Sequence, residues 1–180
     1  LTDCIFRGNS AGEHGGGAAL DCTTECEVRR CRFEGNTAGE GGGGLQFGNN
    51  LGTGKATSAT FLVESSIFTG NVASQVGGAV VGKPASFLEG AYCGLVNCTF
   101  SGNVSPRDPA VHTAYDKTKT PETVPVTVVN SIISNSAGIQ GFNGESNGSV
   151  MGIEVLTDFS HCLFDVIISE APISANSLSI

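Results

Sequence analysis

A six-residue pattern sets the strongest limit on how this chain can fold. It reads Cys-Ile-Phe-Arg-Gly-Asn at 4–9 and Cys-Arg-Phe-Glu-Gly-Asn at 31–36. It returns as Ser-Ile-Phe-Thr-Gly-Asn at 66–71 and Cys-Thr-Phe-Ser-Gly-Asn at 98–103. Two looser copies put Ile133 and Phe164 at the aromatic position, so the intervals are 27, 35, 32, 33 and 31 residues. A period of about 20–50 residues marks a solenoid or an array, in which each unit buries its apolar face against its neighbours.

Helical repeats do not fit. Cys31 and Phe33 alternate with the two-residue period of a strand. Val28, Val63, Leu95 and Val128 each precede the Cys or Ser position by three residues. Gly and Asn follow, where a turn belongs. A second motif comes next: Gly-Gly-Gly-Ala-Ala-Leu at 15–20, Gly-Gly-Gly-Gly-Leu-Gln-Phe at 41–47 and Gly-Gly-Ala-Val-Val at 77–81. It reads as a tight corner and then another short strand. The expected fold is therefore all-β, a parallel β-helix of about six rungs in a single domain over 1–180. A β-propeller is the alternative, but its blades need about 40–50 residues.

In such a coil, equivalent residues stand one above another at about 4.8 Å. Six rungs then make a rod of about 24 Å. Phe6, Phe33, Phe68, Phe100, Ile133 and Phe164 should form an internal file. Asn9, Asn36, Asn71 and Asn103 should form a hydrogen-bonded ladder, with Asn135 as a looser fifth member. Ala11, Ala38 and Ala73, two residues after each Asn, fit a place with no room. Asn36→Ala is expected to cost about 1–3 kcal/mol by unpairing its neighbours.

Composition agrees with a core of small, repeated side chains. Gly is 26 of 180 residues, about twice its usual share of roughly 7%. Trp is absent and aromatics are 7%. The net charge of −8 argues against nucleic acid, which needs a basic face. It also argues against adsorption to anionic lipid. No apolar run approaches the roughly 18–20 residues of a membrane helix. The chain opens on Leu1-Thr2-Asp3 with no Met and no signal peptide, and is expected to be a piece of a longer protein.

Four of the seven cysteines, Cys4, Cys31, Cys98 and Cys162, share one place in the repeat, which Ser66 and Ser131 fill elsewhere. That exchange points to a small inward side chain rather than an obligatory bridge. Cys22 and Cys26 flank a short turn and could close a local disulfide. Zinc is the rival reading, but no His or second Cys pair completes four ligands at a suitable spacing.

The paired motifs resemble the polymorphic outer membrane protein repeat, with its Phe-x-x-Asn and Gly-Gly-Ala-(Ile/Leu/Val) elements. Phe6/Asn9, Phe33/Asn36, Phe68/Asn71 and Phe100/Asn103 carry the first element. Gly16–Ala18 with Leu20, and Gly77–Val80, carry the second. Gly43-Gly44-Leu45 departs by lacking the Ala, and the likeness fades beyond 104. The resemblance implies a right-handed parallel β-helix and a secreted or surface-displayed module.

Three insertions interrupt the repeat, near 48–60, 104–125 and 140–152, and loops of solenoids often carry function. The second holds four of the six prolines with His112, Tyr115, Asp116 and Lys117. A polysaccharide lyase would need clustered carboxylates for Ca²⁺ and a basic residue, and a hydrolase two or three carboxylates around one bond. Arg107, Asp108, His112 and Asp116 could make such a site, but a solvated loop explains them as well. Glu13 and Glu40 align before Gly-Gly, and Gln75 and Asp108 only partly continue the series. His14 and His161 stand alone. Gly-Thr-Gly-Lys-Ala-Thr at 52–57 lacks the leading Gly and following helix of a phosphate loop. Asn97, Asn103 and Asn147 head N-glycosylation sequons. Asn103 belongs to the ladder and should be inaccessible, which leaves Asn147, in a loop, as the best acceptor if the host is eukaryotic.

The reading that emerges is a non-enzymatic structural or adhesive segment of a larger extracellular or cell-surface protein. Its partners would be neighbouring rungs, other chains of a surface assembly, and glycans. It would need no cofactor and no metal. The alternative is a pectate-lyase-like lyase or a glycoside hydrolase.

Overall fold

The repeats stack. The computed structural model describes residues 1–21, 25–48, 60–83, 92–106, 110–113, 126–134, 139–141, 145–146, 149–150, 157–164 and 174–179. Among these the regular structure is all β. Every strand pairing is parallel, apart from a small antiparallel hairpin of Glu145–Ser146 with Ser149–Val150. No helix among the described residues is long and apolar enough to cross a membrane.

Each repeat contributes short strands to successive sheets. In the second repeat these are Glu25–Arg29, Arg32–Glu34, Thr37–Ala38 and Leu45–Gly48. Each pairs in register with its counterpart one repeat on: Val28 with Val63, Phe33 with Phe68, Ala38 with Ala73, and Leu45 with Val80. The first two ladders run on to Thr157–Phe164, one strand that spans both and joins them into an eleven-stranded sheet.

The aromatic file is present. Phe6, Phe33, Phe68 and Phe100 stack with centroids 4.8, 4.8 and 5.1 Å apart and planes within 8°. Ile133 and Phe164 continue its backbone register. The spacing is that of neighbouring strands, so the rings gain contact without disturbing the ladder. Val28, Val63, Leu95 and Val128 line the adjacent column, all fully buried. Phe47 stacks on Phe61 at 3.6 Å, across the corner where one repeat passes to the next.

The asparagine ladder runs beside the phenylalanines. Asn36 donates from its backbone N and from Nδ2 to Asn71 Oδ1, at 3.0 and 2.9 Å. Its Nδ2 also donates to Phe6 O at 2.9 Å. Asn71 repeats the arrangement with Asn103 Oδ1 and Phe33 O, and Asn9 donates to Asn36 Oδ1. Asn36 and Asn71 therefore use both amide hydrogens and both lone pairs, which makes a buried side-chain amide affordable. Asn135 lies outside the described residues.

Two local features shape the corners. The glycine before each ladder asparagine (Gly8, Gly35, Gly70 and Gly102) has φ between 60° and 64°. The glycines of the second motif are required by close approach instead. A Cβ on Gly43 would run into the carbonyl oxygens of Gly78 and Val72. Gly43→Ala is therefore expected to destabilise by about 2 kcal/mol or more through forced backbone shifts. A urea midpoint unchanged from wild type would show that the stack can yield there.

The register corrects one alignment made from sequence. Ala18 is level with Leu45 and Val80, so Ala79 corresponds to Gly44 and Gly17 rather than to Ala18. Gly43-Gly44-Leu45 thus lacks no residue. The cramped place takes Gly or Ala, and the strand begins one position later. The middle of the 104–125 segment also departs from a continuous insertion. Val111–Thr113 is a strand paired with Val80–Gly82, and Ala110 is buried. Ile139–Gly141 extends the same sheet.

Candidate functional site

Outward side chains fall in columns as regular as the inward ones. On the sheet backed by the phenylalanines, one column is Ile5, Arg32, Ile67, Thr99 and Ile132. The next is Arg7, Glu34, Thr69, Ser101 and Ser134. Around the corner stand Ser10, Thr37, Val72 and Val104. These strands alternate, so a buried aromatic fixes the residues on either side of it outward.

The face divides by charge. Its ion pairs gather in the first two repeats and reach Glu64 at the start of the third. Arg30 grips Asp3 with Nε and Nη2 at 2.7 and 2.8 Å. Arg7 Nε donates to Glu34 Oε2 at 2.7 Å, and Arg32 reaches the other oxygen of the same carboxylate. Arg29 joins Glu27 and Glu64 at 2.9 and 3.2 Å. In the next three repeats the three columns named above hold, among the described residues, Ile67, Thr69, Val72, Thr99, Ser101, Val104, Ile132 and Ser134. Ile67, Val72, Val104 and Ile132 are exposed there, without a formal charge among the eight.

The ion pairs imply an acid sensitivity. The hydrogen bond from Arg7 holds the Glu34 carboxyl below the usual range, and Arg30 does the same for Asp3. A depressed carboxyl stabilises the fold above its unfolded value and loses that contribution as pH falls through the folded value. Glu34→Gln is thus expected to cost some stability at neutral pH and to approach wild type as pH falls through the depressed folded value of Glu34. Urea unfolding of both proteins across that range measures it.

An exposed ridge of bends borders this face. Asp3, Arg30, Ser65, Asn97, Asn130 and His161 all have φ between 48° and 55°, and all are exposed. Each turns the chain just before the Cys or Ser column. The sequence carried a signal here: five of the six are Asp, Ser, Asn or His, of which Asn, Asp and His tolerate left-handed backbone best. Asn97 heads a sequon on this ridge, whereas Asn103 is 2% exposed within the ladder. Asn147 lies outside the described residues.

The Cys and Ser column is sealed. Ser66 Oγ accepts from Cys31 N and donates to Glu64 O, and Ser131 Oγ treats Cys98 N and Val129 O alike. Burial pushes the Cys98 thiol up to about 12. In the native protein Cys98 should resist iodoacetamide near pH ~8 and react once the chain is unfolded. Cys4, Cys31 and Cys98 are free thiols, and Cys26 is disulfide-bonded. Cys22, its expected partner, lies outside the described residues.

Arg107, Asp108, Tyr115, Asp116 and Lys117 lie outside the described residues. His112 is 3% exposed in its strand, level with Val81, rather than in a solvated loop. Glu13, Glu40 and Gln75 do stack, through Glu40 N to Glu13 O and Gln75 N to Glu40 O at 2.7 and 2.9 Å. His14 Nε2 meets Glu40 Oε2 at 3.1 Å. No group of three or more His, Cys, Asp or Glu side chains suited to a metal occurs among the described residues.

No family model, curated protein or solved structure matches this chain.

The strands that end at Gly48, Lys83, Thr113 and Gly141 belong to one sheet, and those that begin at Thr60, Tyr92, Val126 and Thr157 belong to another.

Proposed function

We propose that the chain is a right-handed parallel β-helix segment of the polymorphic outer membrane protein type, with a structural or adhesive role in a larger extracellular or cell-surface protein. The observation that carries this reading is the set of uncharged outward columns that runs from Ile67 to Ser134 among the described residues. It is a regular array of aliphatic and hydroxyl side chains on a backbone fixed by in-register stacking. Such a surface suits contact with another protein chain, whose apolar groups it can desolvate without stranding a charge. The paired charges of the first two repeats keep the adjoining surface hydrated.

Sedimentation velocity over a range of concentrations tests the reading. The purified chain should associate, and Ile67→Lys/Ile132→Lys should weaken that association while leaving the far-ultraviolet circular dichroism unchanged. A chain that stays monomeric throughout removes the self-assembly role. Release of new chain ends from an acidic polysaccharide would replace the structural reading with an enzymatic one.

A further inference from the structure

Two thiols stand next to each other at the start of the stack. The six places of the inward column read Cys4, Cys31, Ser66, Cys98, Ser131 and Cys162, so Cys4 and Cys31 are its one adjacent pair of sulfurs. Their backbones are in register: Ile5 pairs with Arg32, and Arg32 N donates to Cys4 O at 2.9 Å. Their side chains are oriented alike. Cys4 Sγ donates to Thr2 O at 3.2 Å, and Cys31 Sγ to Arg29 O at 3.3 Å. Two residues on, Phe6 lies over Phe33 with a 4.8 Å offset, and the same translation sets sulfur over sulfur.

That separation suits a disulfide with a small adjustment. The Cα atoms fall inside the usual range of about 4.4–6.8 Å, and the Cβ atoms need to close slightly to reach about 3.5–4.5 Å. Cys4 is half-buried and Cys31 fully buried, which makes Cys4 the point of entry. A disulfide at Cys26 already calls for an oxidising setting.

We infer that Cys4 and Cys31 are a redox-closed staple between the first and second repeats. With a small-molecule disulfide such as oxidised glutathione as oxidant, the chemistry has two steps. The Cys4 thiolate attacks the glutathione disulfide, forming a Cys4–glutathione bond and expelling one glutathione thiolate. The Cys31 thiolate then attacks the Cys4 sulfur and expels the second. The two cysteines lose two electrons and two protons, and one glutathione disulfide becomes two glutathione thiols. The staple ties the first repeat to the second.

The test is to incubate the folded 180-residue chain with oxidised glutathione, block free thiols in denaturant and map tryptic peptides. Cleavage after Arg7, Arg30 and Arg32 separates both cysteines from Cys22 and Cys26. The expected product links peptide 1–7 to peptide 31–32, with Cys98 and Cys162 alkylated. Amide exchange at Arg32, Thr37 and Gly39, which donate to Cys4, Asn9 and Ala11 of the first repeat, should slow several-fold. Exchange at Val104 should not change. Cys31→Ser should leave Cys4 as a lasting glutathione adduct, with no slowing. A wild-type protein that keeps the adduct on Cys4, or in which Cys31 is still alkylated, overturns the inference. So does a link from Cys4 to Cys98 or Cys162.

Discussion

Phe68→Ala is expected to lower the unfolding free energy by about 4 kcal/mol, among the largest costs for any single truncation in this chain. Its side chain is fully buried and has a ring on each side, Phe33 at 4.8 Å and Phe100 at 5.1 Å. Removal strips both neighbours of a stacking face and leaves a cavity. In-register backbone hydrogen bonds above and below, such as Ile67 N to Cys31 O and Thr99 N to Ser66 O, hold the strands apart and oppose collapse into it. Phe6→Ala is the internal control. Phe6 has one ring neighbour and is partly exposed, so its loss should cost well under half as much. Urea denaturation with an unchanged slope measures both. Equal losses at the two positions would mean that the rings are not a cooperative file.

Asn71→Ala is expected to cost about 3 kcal/mol. The substitution takes the acceptor from Asn36 N and Asn36 Nδ2 together, inside a region closed to water. It also withdraws the donor to Phe33 O and one of the donors to Asn103 Oδ1. Asn71→Asp separates the parts of this effect. It keeps an acceptor for Asn36 but has no hydrogen to give Phe33 O, and it buries a charge, so it should be no better than Ala near neutral pH. Asn9 is exposed and takes part at the margin of the ladder, so Asn9→Ala should cost about 1 kcal/mol or less. A flat profile across Asn9, Asn36 and Asn71 would count against a coupled ladder.

The inward columns were legible in the sequence because each has a physical reason to repeat its identity. A buried amide needs another amide at the same height, and a ring stacks best on a ring. The bends at Asp3, Arg30, Ser65, Asn97, Asn130 and His161 were not read, because exposed side chains vary while the backbone angle stays fixed. The offset of Ala79 against Gly44 was missed for a different reason. Gly and Ala both fit a cramped place, so composition alone does not reveal a slip of one residue. His112 looked like a loop residue because prolines surround it. Its neighbours Val111 and Ala110 instead continue the column of Val80 and Ala79.

The asparagine ladder has a direction. Each described amide-to-amide hydrogen bond points toward the later repeat, from Asn9 to Asn36, from Asn36 to Asn71 and from Asn71 to Asn103, while the second Nδ2 hydrogen of Asn36, Asn71 and Asn103 turns back to the carbonyl of Phe6, Phe33 and Phe68. The side-chain dipoles therefore add along the axis, and the two poles of the column are chemically unlike. A two-fold axis that set Asn9 against Asn9 would oppose carbonyl oxygen to carbonyl oxygen. Any joining of such columns must accordingly be heterologous, the donor pole of one against the acceptor pole of the other, a geometry that builds open filaments rather than closed pairs.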